Sequence, residues 1–160
     1  MRRRTLDFSK PTLVSSQIRV IALCLFSRGN AILVNEGHDP VANSTFVRPL
    51  GGGVEFGETG TRAVVREIRE ELGAEIQDVR YFGTLENLFT YLGEPFHEIV
   101  LVYDACFADD RLYDCLHLEG RETDGGFIRA SWRELDDIAN LLVPAGLHAL
   151  VRSKLARAEF

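Results

Sequence analysis

Residues 52–74 read GGVEFGETGTRAVVREIREELGA, a glycine-rich stretch followed by a run with helical periodicity. At about 100° per residue, every third or fourth side chain of the run falls on one apolar stripe. The stripe consists of Val64, Ile68 and Leu72. The pattern predicts a helix from Thr59 or Gly60 to Leu72, with Gly73 as its C-terminal stop. Such a helix would bury its stripe against a sheet.

Three carboxylates share the neighbouring face of the predicted helix. With Glu67 at 0°, Glu70 falls at about −60° and Glu71 at about +40°. Carboxylates so close together repel one another unless a cation lies among them, and hard oxygen ligands suit Mg²⁺ or Mn²⁺. Arg66 is four residues before Glu70 and can orient it through an ion pair. A solvated acidic face is the alternative, but it leaves the glycine-rich loop unexplained.

The segment resembles the Nudix box, G-x5-E-x7-R-E-U-x-E-E-x-G-U, in which U is an aliphatic residue. The matching positions are Gly52, Glu58, Arg66, Glu67, Ile68, Glu70, Glu71 and Gly73. Two departures are small: Ala74 replaces a bulkier aliphatic residue, and Leu50 separates Pro49 from the glycines. The resemblance implies an α/β fold, a Nudix-type α/β/α sandwich around a mixed β-sheet.

The resemblance also implies a metal site and a reaction. Glu67, Glu70 and Glu71 would bind Mg²⁺ (or Mn²⁺), with a weaker contribution from Glu58, and Arg66 would belong to the same catalytic group. The implied reaction is Mg-dependent hydrolysis of a diphosphate (pyrophosphate) linkage in a nucleoside diphosphate linked to another moiety. A metal-activated water would attack one phosphorus, and the protein would contribute positioning and charge stabilisation.

An acidic residue outside the box is expected to complete the site. Members of the resembled family often carry one before a late tryptophan-containing strand, where this chain has Glu122 and Asp124. A solvated loop is the alternative for each of these two residues. Glu98 is a third candidate, at the head of an apolar strand. Alternation sends Glu98 and His97 to opposite faces, so only one of them readily reaches a cleft.

Substrate contacts are predicted around the glycine loop. The backbone amides of Gly52 and Gly53 and the helix N-terminus favour anions, and Arg48 can contact a phosphate. Glu98 is counted among the substrate-binding candidates as well. Three aromatic residues can stack on a base, although core packing is the alternative: Phe46, Phe89 and Tyr91.

The net charge and hydropathy of the chain limit the classes of molecule that it is expected to bind. The 160 residues carry a formal net charge of −6, so the chain is a poor candidate for tracking a nucleic-acid backbone. No apolar stretch approaches the roughly 20 residues that cross a membrane. We expect a nucleotide-like small-molecule substrate, no nucleic-acid partner and no membrane contact. A homodimer stays open as an alternative.

The sequence also predicts the limits of the domain and the cellular location of the protein. We interpret residues 1–16 as an N-terminal leader and residues 17–160 as one Nudix hydrolase domain. The basic start is not followed by an apolar run, which argues against a signal peptide. The chain has 3 cysteines, too few for a disulfide framework and consistent with a reduced, cytoplasmic protein. A binding or regulatory domain that recognises nucleotides without turnover is the alternative to catalysis, and the intact box disfavours it.

The rest of the chain is dominated by strand patterns. Strands are predicted at 18–26, 31–34, 45–48, 79–87, 98–107 and 127–132. Residues 35–44 and 108–126 are expected to be loops. A short helix is predicted over 135–142 and a last one from Pro144 to about Ala158.

Overall fold

The structure is a computed structural model that describes residues 17–122 and 124–158. The predicted leader, residues 1–16, lies outside the described residues. The strands are β1 (Ile18–Leu25), β2 (Ser27–Arg28), β3 (Ala31–Asp39), β4 (Ser44–Arg48), β5 (Leu50–Gly53), β6 (Ile76–Tyr91), β7 (Glu94–Phe107), β8 (His117–Arg121) and β9 (Phe127–Glu134). The helices are α1 (Gly60–Leu72), α2 (Leu147–Ala158) and a 3₁₀ turn at Asp110–Asp114. Among the described residues, no helix is long and apolar enough to cross a membrane.

The strands form two sheets, and one of them is mixed. The first has the order β5-β1-β7-β6, in which β1 pairs antiparallel with β5 and parallel with β7. The second has the order β2-β3-β9-β8, with β4 paired to β3. The predicted mixed α/β fold is therefore confirmed.

Strand β1 is buried on both faces, which explains its continuous apolar sequence. Its residues alternate between two hydrophobic cores: Ala22 and Cys24 belong to the first, and Leu23 and Leu25 to the second. Helix α1 closes the first core with Ala63, Val64 and Ile68, and α2 closes the second with Leu147 and Val151. The result is a helix on each side of the central strands.

Helix α1 starts and ends at the predicted residues. The hydroxyl of Thr59 accepts a hydrogen bond from the amide of Arg62 at 3.3 Å, a typical N-cap. Gly73 adopts the left-handed conformation (φ 64°) and donates its N–H to the carbonyl of Arg69 at 2.9 Å. The N-cap at Thr59 and the stop at Gly73 each involve residues within about one turn of the helix end, so the local sequence is enough to predict both ends of the helix.

The segment 135–142, predicted as a helix, forms turns instead. Its apolar side chains have helical spacing, since Leu135, Ile138 and Leu142 are all buried. The backbone, however, bonds to β4: the amide of Val47 donates to Leu141 at 2.9 Å, and the amide of Val143 donates to Val47 at 3.0 Å. Tertiary pairing thus overrides the local pattern.

Two predicted loops also contain regular structure. Strand β3 continues to Asp39 and forms a hairpin with β4, which shortens the loop expected over 35–44. The stretch 108–126 contains the 3₁₀ turn and β8. Polar edge strands of this kind lack the apolar alternation by which strands are recognised.

Substituting Val64 by Asp is expected to unfold the protein. Val64 is fully buried in the first core, and an isolated buried charge costs several kcal/mol, comparable with the whole stability of a small domain. Circular dichroism against temperature measures the effect, with Thr61→Asp on the exposed first turn as the control. An unchanged melting curve for Val64→Asp would refute the burial of this stripe.

Candidate active site

The glycine strand β5 brings its backbone against a carboxylate of α1. A Cβ atom at Gly52 would lie 2.6 to 2.7 Å from the carboxylate atoms of Glu67, closer than real contacts allow. Gly51 has φ +135°, and a Cβ there would lie 2.1 Å from the carbonyl oxygen of Ala22. The two glycines therefore permit contacts that a side chain would prevent.

Arg66 connects the loop before α1 with the helix. Its Nε and Nη2 donate to the two carboxylate oxygens of Glu58 at 2.9 and 3.1 Å. Its Nη1 donates to Glu67 at 2.7 Å and to Glu70 at 3.2 Å, and its Nη2 also donates to the carbonyl of Gly53 at 2.9 Å. Hydrogen bonds from Arg66 hold the pKa of Glu58 below its usual value. The expected ion pair between Arg66 and Glu70 is present, and Arg66 forms further ion pairs with Glu58 and Glu67.

Glu71 is buried and accepts a hydrogen bond from the backbone. Only 5% of its surface is exposed, and its carboxylate accepts a hydrogen bond from the amide of Gly51 at 3.3 Å. Burial, followed by the negative charges of Glu122 and Glu67, raises the pKa of Glu71 to about 8, while the positive charge of Arg48 opposes the rise. The pKa of Glu67 is raised as well, mainly by burial.

Strand β8 brings Glu122 to this group through another glycine contact. A Cβ at Gly120 would lie 1.8 Å from the carbonyl oxygen of Glu71, so only glycine fits there. Sequence reasoning missed Gly120, although a glycine within a strand signals a close backbone approach. The chain then turns, with Glu122 donating its amide to Gly126 at 2.7 Å. Burial raises the pKa of the half-buried Glu122, Arg48 lowers it, and Asp124 raises it.

The other sequence candidates occupy different positions. Asp124 is exposed and its carboxylate accepts the amide of Gly126 at 2.9 Å, so it stabilises the turn. Glu98 is 2% exposed and forms an ion pair with Arg19. His97 turns to the opposite face, where its Nε2 lies 2.9 Å from Glu86. The structure thus brings Glu122 to the box carboxylates, whereas Glu98 has its partners on β1 and β6.

Arg48 is the cation whose charge acts on both Glu71 and Glu122. It is half-buried at the end of β4, and its charge lowers the pKa of both Glu71 and Glu122. Within the part of the chain that the structure describes, no hydrogen bond or ion pair occupies its guanidinium. A guanidinium in this setting is suited to a phosphate.

The donor set fits a divalent cation such as Mg²⁺, although it is not preassembled. Within residues 17–122 and 124–158, no three His, Cys, Asp or Glu side chains are grouped closely enough to hold a metal ion as they stand. Glu67 and Glu70 are turned towards Arg66. The negative charge of Glu122 nevertheless raises the pKa of both Glu67 and Glu71, and a divalent cation bound by these oxygen donors would relieve that repulsion.

Glu71→Gln is expected to stabilise the metal-free protein at pH 8. Because the folded pKa of Glu71 (about 8) lies above its usual 4.5, this group costs no stability below pH 4.5, and stability falls as the pH rises to about 8. The amide side chain removes that loss, which is on the order of a few kcal/mol. Urea unfolding in EDTA at pH 5 and pH 8 measures it.

The control for this experiment is Glu55→Gln, which changes an exposed carboxylate in the loop between β5 and α1. It is expected to unfold like the wild type at both values of pH. If Glu71→Gln is less stable than the wild type at pH 8 in EDTA, the buried carboxylate does not carry the proposed cost.

Comparison with solved structures supports the fold. The MutT NUDIX hydrolase from Burkholderia pseudomallei superposes with a TM-score of 0.61 at 28% sequence identity, covering 84% of this chain and 97% of that chain. The E. coli ORF135 protein superposes with a TM-score of 0.61 at 22% identity, covering 92% of this chain and 96% of that chain. At that identity the second likeness shows the fold alone.

Sequence comparison finds similar curated proteins and a family. The NAD-capped RNA hydrolase NudC of Mycobacterium tuberculosis is 31% identical over 106 residues, 61% of this chain and 32% of that protein. The protein of the same name from Haemophilus influenzae is 43% identical over 58 residues, 36% of this chain and 22% of that protein. This chain therefore matches about a third or less of these relatives. The NUDIX domain model matches residues 16–152, and the chain belongs to this family.

Proposed function

We propose that the protein hydrolyses a diphosphate linkage in a nucleoside diphosphate joined to another moiety, and that it requires Mg²⁺ or Mn²⁺. The observation that carries the proposal is the convergence of Glu67, Glu71 and Glu122 beside the glycine strand, where each is buried or half-buried. Arg48 lies at the edge of this group. An anionic substrate and a divalent cation together would balance these charges.

The residues that would hold the cation are Glu67, Glu70 and Glu71. Glu58 would contribute mainly by holding Arg66, through the two hydrogen bonds that join them. A bound cation lowers the pKa of a coordinated water and neutralises charge on the diphosphate. A bound cation would take the place of Arg66 as the partner of Glu67 and Glu70.

The remaining steps fall to groups of the protein. Arg48 binds a phosphate oxygen and orients the diphosphate. Glu122 accepts the proton of the attacking water, since burial raises the pKa of its carboxyl group and so makes the carboxylate a stronger base. The water oxygen bonds to one phosphorus, the bridging P–O bond breaks, and the leaving phosphate departs with that electron pair.

The relatives suggest the linkage rather than the whole substrate. The curated NudC proteins are named as hydrolases of NAD-capped RNA, and NAD itself contains a diphosphate between two nucleosides. We propose the same kind of linkage for this chain, in a small nucleotide and not in RNA, because the net charge is −6. A cytoplasmic location is part of the proposal, and a homodimer stays open as an alternative.

A phosphate-release screen tests this function. Nucleoside triphosphates, ADP-ribose, dinucleoside polyphosphates, sugar nucleotides, NAD and NAD-capped RNA are incubated with Mg²⁺ or Mn²⁺, with and without added phosphatase. We expect turnover of one substrate class that needs the metal and falls by roughly 100-fold or more in Glu71→Gln. Glu55→Gln is expected to retain activity. Folded wild-type protein without activity on any substrate would contradict catalysis and favour a binding domain.

The choice of base is tested by pH profiles. With Glu122 as the base, kcat/KM rises with pH through the raised pKa of this carboxyl group. Glu122→Gln is expected to lower kcat by about 10²-fold or more and to remove this limb of the profile. Asp124→Asn, two residues along the same turn, is expected to keep the limb. A profile that survives in Glu122→Gln and disappears in Asp124→Asn would reassign the base.

A further inference from the structure

One end of the first sheet, on the side of α1, is only partly covered by the residues that the structure describes. The helix begins on β7, where a Cβ at Gly60 would lie 2.3 Å from the hydroxyl oxygen of Tyr103 and 2.8 Å from a methyl group of Leu101. Towards the start of β7, the same face continues with Ile99 and His97, because every second residue of a strand projects from one side. Both are half-buried rather than enclosed. The sheet therefore extends beyond the start of α1.

Strand pairing shows which residues share this part of the sheet. Residues paired across neighbouring strands project from the same face. Two rows cross β1, β7 and β6, and we call them the open face: Val20, Ile99 and Glu86 in the first row, and Ile18, His97 and Leu88 in the second. Each of the three strands thus contributes one residue to each row.

The open face is more apolar than a face in contact with water requires. Ile18 is 60% exposed, Val20 41% and Leu88 70%, and the half-buried Ile99 lies beside Val20. On a solvated sheet face, alternation normally places polar residues at such positions. Single exposed aliphatic residues are common, whereas a contiguous group of them marks a contact surface.

The leader, residues 1–16, is joined to the open face by the chain itself. It precedes Gln17, and β1 begins at Ile18, which belongs to the second row. Sixteen residues span at most roughly 50 Å, whereas the distance from β1 to β6 is two strand spacings, or about 10 Å. The leader can therefore reach every part of the open face. A tethered segment also has a high effective concentration at a surface beside its attachment point.

The composition of the leader matches the open face in polarity and in charge. The leader contains four large apolar residues: Leu6, Phe8, Leu13 and Val14. It also contains three Arg, one Lys and one Asp, a formal charge of +3, so the remaining 144 residues carry −9. The carboxylate of the open face, Glu86, is exposed. Two copies of a body with this charge repel each other, so the charge favours the leader over a second copy as the occupant.

We propose that the open face is a docking surface for residues 1–16 of the same chain. The apolar side chains of the leader cover Val20, Ile99 and Leu88, and its basic side chains lie near Glu86. The amide of Val54 donates to the carbonyl of Val20 at 2.9 Å, so the docked leader also supports the start of the loop before α1. This contact is separate from the proposed reaction, because none of the box carboxylates takes part in it.

NMR of the full chain with labelled methyl groups tests the proposal. We expect nuclear Overhauser effects between the ring of Phe8 and the methyl groups of Val20 or Leu88. Leu116, which is 83% exposed and lies outside the open face, is expected to show none. The chemical shifts of residues 1–16, compared with those of the isolated 16-residue peptide, measure the ratio of docked to free leader. Leu88→Asp is expected to lower this ratio about tenfold, since it removes one apolar contact and adds a charge. Leu116→Asp is the control and is expected to leave the ratio unchanged.

Contacts within one molecule, from protein that sediments as a monomer, would support the proposal. A sample that mixes differently labelled copies separates these contacts from contacts between molecules. Contacts that occur only between copies would assign the open face to a second copy and overturn the proposal. Leader shifts equal to those of the free peptide, or unchanged by Leu88→Asp in a folded protein, would also overturn it. Leu88→Thr provides the same measurement if Leu88→Asp does not fold.

Discussion

The geometry of the site depends on one guanidinium. Arg66 binds Glu58 through two hydrogen bonds, contacts Glu67 and Glu70, and donates to the carbonyl of Gly53. These contacts fasten the loop that precedes α1 to the helix itself, and they offset the repulsion among the carboxylates. Lysine cannot replace this arrangement, because its single ammonium lacks the planar set of donors that reaches several acceptors at fixed angles.

Close backbone approach is the second requirement. The carboxylate of Glu67 lies where a side chain at residue 52 would be, and the carbonyl of Glu71 lies where a side chain at residue 120 would be. The first contact places α1 against β5, and the second places β8 against α1. Carboxylates from separate parts of the chain meet because small residues occupy both junctions, so the site is assembled by packing as much as by charge.

These causes explain what could be predicted from the sequence. Both ends of helix α1 were predicted to within one residue because its cap, stripe and stop are local signals. The turn segment that contains Ile138 was predicted wrongly, because its helical spacing serves the second core while its backbone bonds to a distant strand. The pairing of Arg66 with Glu58 spans eight residues, and the approach of Glu122 to Glu71 spans fifty-one (122 − 71); no periodicity encodes either. The resemblance of the box indicated which residues matter, and packing decided how they meet.

Two of the carboxylates with raised pKa values, Glu71 and Glu122, are suited to different tasks for a physical reason. Glu71 is almost completely enclosed and accepts a backbone amide, so its charge is costly until a cation balances it. Glu122 lies half-buried on a turn, where water can reach it. A base must return its proton to solvent after each turnover, whereas a metal ligand must stay ionised throughout. In the proposed reaction, the difference in burial therefore favours Glu122 as the base and Glu71 as the metal ligand, although both groups carry the same chemistry.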